Sequence, residues 1–455
     1  MAVVLKFGGT SVGTFDAVSR TMEIIASRLP EHPVVCVSAL SKVTDLLYAI
    51  ADAVSCGDSE GLEARMYELR SRHLGLVCSL LSADPKGCDR ASAKVNEICD
   101  TLAAVVSSVA ALGDVPDRIR AVIISHGELL SSTIICYALN SRGIRTGFVD
   151  ARTMIVTDSE YMCGEPQYDL INARVPEVVG EAFARGTAFG TDGKAADGRP
   201  NEAVITQGFI AASRQGAGTV LGRGGSDWSA SIIASALDAS RVEIWTDVDG
   251  IRTTDPRVCP NTRRIPRISY EEAAEMARFG AKVLHPRTIA PAVASNIPVL
   301  VLDSSDPSCE GTAVVPEEAP EGPRGIAFKR NVYLVRFSPK AEGELRWCLE
   351  ESRIEPDVLT SVGRQMMVTV DFSHDIGGFI RLAAGKTDIL LKTGYSQLTV
   401  IGRGLRTIAP ELEDAVPQLR KNWGKMLNDN DISYIVAADR LERIVRDVHR
   451  YLFEE

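Results

Sequence analysis

The chain has 455 residues, of which 45% are hydrophobic and 24% are charged. This length predicts about two to four domains, and the composition excludes a mainly disordered or fibrous protein. Lys and Arg total 50 against 60 Asp and Glu, so the formal net charge is −10. A protein that binds nucleic acid through bulk positive charge would have the opposite balance. We therefore expect no nucleic-acid partner, and any bound anion must be held by a local site.

The cysteines and the N-terminus indicate where the protein works. The ten cysteines are scattered, with no C-x-x-C pair and no spacing typical of zinc, which favours free thiols in a reducing compartment. Lys6 interrupts the first apolar run too early for a signal peptide. The apolar stretch Thr101–Leu112 is only about three helical turns long and is typical of a core helix. We expect a cytoplasmic protein with no membrane partner.

Strand-like and helical patterns alternate through the first 300 or so residues. The predicted strands are Val3–Phe7, Val34–Val37, Ala121–Ile124, a short piece from Phe148, Ala203–Ile205, Val242–Trp245 and Pro298–Leu302. Helical spacing covers Val18–Leu29, Leu129–Leu139, Ile232–Leu237 and Glu271–Arg278. This alternation predicts an α/β fold in which helices sandwich a mostly parallel sheet, with ligands beyond the carboxyl ends of the strands.

A Pro-, Gly- and Glu-rich stretch, Asp306–Gly325, indicates a domain boundary. Beyond it, two small α+β units follow in tandem, predicted as 329–396 and 397–455 after a domain of 1–305 and a linker of 306–328. The first contains Val332–Phe337, Ala341–Ser352, Asp357–Leu359 and Met366–Val370; the second contains Leu398–Ile401, a helix near Leu412–Met426, Ile432–Val436 and the helix Leu441–Phe453. The second unit is abbreviated, with no clear hairpin between Met426 and Ile432. From periodicity alone, a regulatory role and a structural extension remain equal alternatives.

The strongest chemical signal lies at the end of the first strand. Gly8 and Gly9 allow backbone N–H groups to converge on an anion, and Lys6 adds a mobile positive charge that can follow a phosphoryl group. The spacing is not that of a Walker A loop. The alternative is a tight strand-to-helix turn with a surface lysine.

Further loops follow the predicted strands. Gly222–Asp227 places Arg223 beside a helix N-terminus that begins near Trp228, where Ser226 or Asp227 is a natural N-cap and a carboxylate or phosphate fits. Thr246–Arg257 concentrates oxygen donors and two arginines, which suits a nucleotide with Mg²⁺ or a solvated loop. Glu128, after the predicted strand 121–124, either complements a helix dipole or holds an ammonium group.

Six motifs in order resemble the aspartate kinase branch of the amino acid kinase family, and the tandem tail resembles its ACT modules. They are KFGGTSVG from Lys6, VSALSKVT from Val37, SHGEL from Ser125, GRGGSDWSA from Gly222, TDVDGIRTTDPR from Thr246 and FGAKVLHP from Phe279. The resemblance implies an enzyme that uses MgATP to phosphorylate the β-carboxylate of L-aspartate. It also implies lysine as an effector and a homodimer.

The resemblance also implies roles for individual residues. Lys6 and Asp227 are the expected catalytic pair, with Asp227 orienting Lys6. The expected ATP contacts are Lys6, Gly8, Gly9, Thr246, Asp247, Arg252, Arg257, Lys282 and Val283, and the expected aspartate contacts are Thr44, Glu128, Arg223, Gly224, Gly225 and Ser226. Mg²⁺ is expected to arrive with ATP, held largely by phosphate oxygens and water.

Two departures and two alternatives accompany this assignment. Arg252 stands where the family commonly has a tyrosine, and Leu359–Arg364 departs from the family's effector segment, so nucleotide affinity and the effector are open. One alternative is a kinase of the same fold that acts on another substrate, such as glutamate. The other is a non-catalytic amino-acid sensor, against which the charges of Lys6, Arg223, Asp227 and Lys282 argue.

Overall fold

A computed structural model describes residues 2–110, 113–184, 199–281, 284–317, 320–352, 354, 356–362, 364–372, 376–384, 386 and 388–454. The chain forms two compact units. The first contains Met1–Asp249 and Arg287–Pro316, and the second contains Gly250–Pro286 and Glu317–Glu455. The second unit therefore takes in a segment that the sequence analysis assigned to the first domain.

The helices are α1 Phe15–Arg28, α2 Val43–Cys56, α3 Ser59–Leu80, α4 Pro85–Ala110, α5 Asp117–Ser141, α6 Tyr168–Ala184, α7 Gly225–Leu237, α8 Tyr270–Arg278, α9 Pro286–Ala294, α10 Glu342–Glu351, α11 Ile376–Ala384, α12 Ala409–Ala415 and α13 Leu441–His449. The strands are β1 Val3–Phe7, β2 Val34–Val37, β3 Thr146–Val149, β4 Val156–Thr157, β5 Ala203–Gln207, β6 Ile210–Ser213, β7 Gly218–Val220, β8 Arg241–Thr246, β9 Arg267–Ser269, β10 Val299–Asp303, β11 Thr312–Val315, β12 Gly322–Phe337, β13 Val358–Val362, β14 Gln365–Asp371, β15 Ile389–Arg403, β16 Gly424–Leu427 and β17 Asp431–Ala437.

The first unit is built on a mostly parallel sheet with the order β3-β5-β2-β1-β8-β10-β11. Its strands run parallel to their neighbours except β11, which is antiparallel to β10. The central strand β1 is apolar and buried apart from Lys6, as expected of a strand covered on both faces. The parallel register brings the residues after β1, β2, β5 and β8 to one edge of the sheet.

Helix α5 corrects the sequence analysis. The predicted strand Ala121–Ile124 is wrong, because these residues belong to one continuous helix that runs from Asp117 to Ser141. Most of α5 is buried, so its apolar residues have no one-sided period that would identify a helix. α5 is also long and apolar enough to span a membrane, a stretch that the sequence analysis overlooked. Its apolar window is 83% buried inside the protein, which is typical of a soluble core helix.

The second unit contains a six-stranded sheet in the order β13-β14-β12-β15-β17-β16. The elements predicted for the first α+β set, residues 329–396, are present as β12, α10, β13 and β14. The predicted helix Leu412–Met426 is wrong, because α12 ends at Ala415 and β16 begins at Gly424. β16 pairs with β17 as the hairpin that the sequence analysis did not find.

The long strands β12 and β15 complete the second α+β set. The first half of β12, Gly322–Lys329, pairs with the second half of β15, and the second half of β12 pairs with both β14 and the first half of β15. The second set therefore has four strands and is not abbreviated. The predicted linker 306–328 contains β11 and the start of β12, so it is not irregular throughout.

Helix α8 is part of the second unit and packs against β12 and β15. Ser269 and Glu272 form a capping box at its start. At Gly280, just after α8, φ is +115°, and a Cβ there would lie 2.4 Å from the carbonyl oxygen of Phe328 in β12. The approach is closer than any side chain permits, so glycine is required for this packing.

Candidate active site

Lys6 and Asp227 meet at the carboxyl edge of the parallel sheet. Lys6 lies near the end of β1 and Asp227 in the first turn of α7, and Lys6 Nζ is 2.7 Å from Asp227 Oδ1. The two side chains are 11% and 18% exposed. A lysine held this way by a carboxylate has a fixed position and can still reach an anion at the site entrance.

The start of α7 differs from the prediction. The helix begins at Gly225, and its N-cap is Gly224 with φ 71°, so the predicted start near Trp228 and a cap by Ser226 or Asp227 are wrong. Because glycine has no side chain to act as a cap, the Asp227 carboxylate stays available for Lys6. Arg223 is exposed in the loop just before this helix. The arrangement places a guanidinium group and a helix N-terminus side by side, which suits a carboxylate.

The glycine loop after β1 is shaped by close packing. The amide of Gly8 donates to the carbonyl oxygen of Trp245 at 3.2 Å, so it is committed to the sheet. The amides of Gly9 and Thr10 have no acceptor within the described part of the chain and are the ones available to an anion. A Cβ at Gly9 would lie 2.9 Å from the carbonyl oxygen of Ala39, which follows β2.

Glu128 is a buried carboxyl group with one open oxygen. It lies in the middle of α5, so the alternative of a helix-dipole partner at a helix start is wrong. Its Oε1 accepts from the amide of Ala39 at 3.2 Å, and its Oε2 has no hydrogen-bond partner among the described residues. Burial raises the pKa of Glu128 to about 8. A buried carboxyl group with one unsatisfied oxygen can accept a hydrogen bond from a donor such as an ammonium group.

Two further predicted contacts lie after β2 and at the end of β8. Thr44 is half-buried in the first turn of α2, directly after the loop that Glu128 holds. Thr246 donates its hydroxyl to Asp247 Oδ1 at 3.2 Å, and its carbonyl accepts from Ser304. Asp247 is exposed, so its carboxylate faces solvent at the same edge as Lys6.

A family model described as the amino acid kinase family matches residues 1–303. The lysine-sensitive aspartokinase 3 of Escherichia coli is 32% identical to this chain over 99% of both lengths, and an aspartokinase of Chlamydia muridarum is 31% identical over 82% of this chain and 79% of its own. The chain belongs to the aspartokinase branch of the amino acid kinase family.

Solved aspartokinase structures agree with this assignment. Escherichia coli aspartokinase III with aspartate and ADP, in the R-state, matches the full length of both chains with a TM-score of 0.82 and 28% identity. The same enzyme with lysine and aspartate, in the T-state, matches 99% of both chains with a TM-score of 0.76 and 28% identity. The predicted family and fold class are confirmed.

The remaining predicted nucleotide contacts lie in the second unit or among residues that the structure does not describe. Arg252 donates to the carbonyl of Thr262 at 2.8 Å, and Arg257 pairs with Asp255 at 2.7 Å while its side chain is 78% exposed. Arg257 thus holds the pKa of Asp255 below its usual range. Lys282 and Val283 lie outside the described residues.

Serines for which no role was predicted from the sequence support the site. Ser11 Oγ donates to Ser304 Oγ at 2.8 Å, and Ser304 Oγ donates to the carbonyl of Thr246 at 2.9 Å, which ties the glycine loop to the ends of β8 and β10. Ser131 on α5 donates to the carbonyl of Ser38 at 2.8 Å. A signal existed for Ser304, since it follows a predicted strand at its carboxyl end.

Proposed function

We propose that this aspartokinase transfers the γ-phosphoryl group of ATP to the β-carboxylate of L-aspartate and releases 4-phospho-L-aspartate and ADP. This reaction is the entry step to lysine, diaminopimelate, threonine and methionine synthesis. The observation that carries the proposal is the Lys6–Asp227 ion pair at the carboxyl edge of the sheet, beside the open amides of the glycine loop. The relatives at about 30% identity support the same chemistry.

The chemistry requires charge and position more than a base. A side-chain carboxylate with a pKa near 4 is already ionised at neutral pH, so it can attack the γ-phosphorus without losing a proton. The barrier lies in bringing two anions into line. Lys6, oriented by Asp227, neutralises the transferring phosphoryl group, and the amides of Gly9 and Thr10 donate to its oxygens.

The substrate contacts select aspartate by its three charges. Glu128 Oε2 accepts from the α-ammonium group, and Arg223 with Ser226 and the N-terminus of α7 binds the α-carboxylate. Thr44 adds a hydroxyl contact. Because both charged groups on Cα are held, the side-chain length decides whether the second carboxylate reaches the phosphorus.

The nucleotide contacts are proposed for Thr246, Asp247, Arg252, Arg257, Lys282 and Val283. The donor set fits a Mg²⁺ ion carried mainly by the nucleotide, because Asp247 is an exposed carboxylate while Asp227 is already paired with Lys6. Mg²⁺ supplies charge neutralisation on the β- and γ-phosphates when it is bound.

We infer that lysine binds the second unit as an effector, that the protein forms a homodimer and that it works in the cytoplasm. The two α+β sets that share β12 and β15 in one six-stranded sheet support the proposal that this part of the chain is regulatory. The homodimer is checked by light scattering at micromolar protein, where a monomeric mass would contradict it.

Trapping of acyl phosphate with hydroxylamine tests the proposed reaction. Product is expected from MgATP with L-aspartate but not with L-glutamate, and millimolar lysine is expected to suppress it. Lys6→Ala is expected to lower kcat about 10²- to 10³-fold or more with an unchanged circular dichroism spectrum, because a charge on the transition state is lost. Product from glutamate instead would identify another kinase of this fold. Folded protein that makes no product but binds lysine would identify a sensor.

A further inference from the structure

The loop that carries Arg252 and Arg257 is anchored through Thr253. The carbonyl of Thr253 accepts from the amide of Ile326 in β12 at 2.7 Å, and its amide donates to the carbonyl of Arg263 at 2.9 Å. Its hydroxyl accepts from the amide of Arg263 at 3.0 Å and lies 2.9 Å from His449 Nε2. Thr253 is 5% exposed, so each of these bonds is shielded from water.

His449 connects this loop to the end of the chain. It is the last residue of α13 and is fully buried. Its Nδ1 lies 2.8 Å from Glu454 Oε1, and Glu454 Oε2 accepts from the side-chain amide of Asn261 at 3.0 Å. These two hydrogen bonds hold the pKa of Glu454 below its usual range, with the bond from Asn261 as the larger cause.

One proton arrangement satisfies the whole chain of contacts. The Thr253 hydroxyl oxygen already accepts from Arg263, so its own hydrogen is free to donate to His449 Nε2. Nδ1–H of His449 then donates to the Glu454 carboxylate. The imidazole therefore connects Glu454 to Thr253, and the two hydrogen bonds fix the orientation of the ring, as is common for buried histidines with a carboxylate partner.

Contacts on the other side of Arg257 hold the same loop. The side chain of Val258 is 2% exposed and belongs to an apolar core shared with Val445 and Val448 of α13. Arg446 of α13 also donates to the carbonyl of Val258 at 3.4 Å. The last helix thus fixes the backbone both before and after Arg257.

We propose that His449 is a positioning residue for nucleotide binding, which holds the loop of Arg252 and Arg257 through Thr253 so that both guanidinium groups meet the phosphates. This inference rests on the proposed function, in which these two arginines contact ATP. His449 itself touches no substrate. Its loss loosens the loop, so it weakens binding of the nucleotide and leaves the aspartate contacts of the first unit in place.

A metal ion is the rival explanation for the same cluster. The ligand atoms of Cys259, His449 and Glu454 lie within 4.8 Å of one another. However, His449 Nδ1 and Glu454 Oε1 are at direct hydrogen-bond distance, and a metal ion would have to replace that bond. We therefore assign the cluster to hydrogen bonding, and metal analysis of the purified protein is part of the test.

The test compares paired variants in the full-length protein. His449→Leu removes the hydrogen bond between Thr253 and His449, and Thr253→Val removes it together with the acceptor of the Arg263 amide. Thr253→Ser keeps the hydroxyl, and Arg443→Ala changes an exposed side chain of the same helix. Loss of a buried hydrogen bond of about 1 kcal/mol predicts a roughly five- to tenfold rise in the KM for MgATP. kcat and the KM for aspartate are expected to stay within about twofold, and Thr253→Ser and Arg443→Ala are expected to match the wild type.

Two further measurements keep the outcomes separate. Calorimetric titration with ADP measures nucleotide affinity without turnover. If His449→Leu does not fold, Glu454→Gln replaces it, and a smaller rise in the KM for MgATP is expected. Unchanged nucleotide affinity in folded His449→Leu and Thr253→Val would overturn the proposal, as would equal losses for both substrates. One equivalent of bound transition metal per chain would also overturn it in favour of a metal site. A wild-type protein that makes no aspartyl phosphate would refute the proposed function, while the ADP titration would still test the positioning.

Discussion

If Glu128 binds the ammonium group of aspartate, as proposed, then substrate binding must change its protonation state. Burial raises its pKa to about 8, so the free protein carries a largely neutral carboxyl group at pH 7. An ammonium group at Oε2 favours the charged form, so the proton must leave when aspartate binds. We expect the KM for aspartate to fall up to about tenfold per pH unit as the pH rises towards 8, and then to level off. Initial rates at saturating MgATP measure this profile.

Glu128→Gln is the matched control, because it keeps the shape and cannot titrate. The variant is expected to bind aspartate weakly with no pH dependence between about pH 6.5 and 8, the range below the raised pKa. The pKa of Glu128 is higher in the folded than in the unfolded protein, so its stability contribution is complete below the ordinary glutamate pKa of 4.5 and is lost as the pH rises through about 8. The free energy of unfolding in urea should therefore be higher for Glu128→Gln relative to the wild type at high pH than at low pH. A parallel pH profile in the two proteins would contradict this role.

Gly9 and Gly8 differ in the space around them. A Cβ at Gly9 would lie 2.9 Å from the backbone oxygen of Ala39, whereas a Cβ at Gly8 would have its nearest neighbour, Lys6 Nζ, at 3.5 Å. Gly9→Ala must push the β1 loop away from the segment after β2, at a cost of about 1–3 kcal/mol. Thermal unfolding should show a lower melting temperature for Gly9→Ala than for Gly8→Ala. Equal melting temperatures would mean that the two loops move apart freely.

The segment Gly250–Pro286 depends on the C-terminal elements. It belongs to the second unit, where Ile326 pairs with Thr253 and β12 packs against α8. A chain that ends at Gly325 removes Ile326 and most of β12. We expect this truncated protein to lose ATP-dependent turnover as well as lysine sensitivity, since the loop of Arg252 and Arg257 loses its support. Limited proteolysis should cut within 250–286 in the truncated chain and spare it in the full chain.

The same change tests whether the second unit is only regulatory. A truncated protein with normal turnover, no lysine sensitivity and a protected 250–286 segment would show that the segment folds without the tail. That result would contradict the assignment of 250–286 to the second unit and would support its predicted place in the domain 1–305.

Local pattern identified some elements, and long-range packing decided the others. Lys6 and the glycine loop were predictable because a strand, a glycine pair and a helix follow one another in the sequence. The second half of helix α5 was predicted as Leu129–Leu139, but its first half was not, because burial on most sides removes the periodicity that marks a helix. The Thr253–His449 contact joins residues 196 positions apart, and no short-range pattern encodes it. Gly424–Leu427 was missed as a strand, although the Asn- and Asp-rich turn that follows it is a hairpin signal.

The four tryptophans divide between the two units and provide a reporter for the whole molecule. Trp228 and Trp245 in the first unit are 2% and 1% exposed, whereas Trp347 and Trp423 in the second are each 40% exposed. Emission from an exposed indole responds to changes in its surroundings, so we expect the emission of this pair to change if lysine binds the second unit, as proposed. The variants Trp347→Phe and Trp423→Phe separate the contributions of the two side chains. If lysine no longer changes the emission of one variant, the replaced tryptophan is the one that responds to lysine.

Linkage then fixes how lysine and aspartate affect each other. If lysine inhibits by weakening aspartate binding, aspartate must weaken lysine binding by the same factor, typically about 5- to 150-fold. Fluorescence titrations with lysine, with and without saturating aspartate, measure one factor, and calorimetric titrations with aspartate, with and without saturating lysine, measure the other. Equal factors are expected. Lysine affinity that is independent of aspartate, in a protein that lysine still inhibits, would mean that lysine acts on the rate of phosphoryl transfer or on ATP binding rather than on aspartate binding.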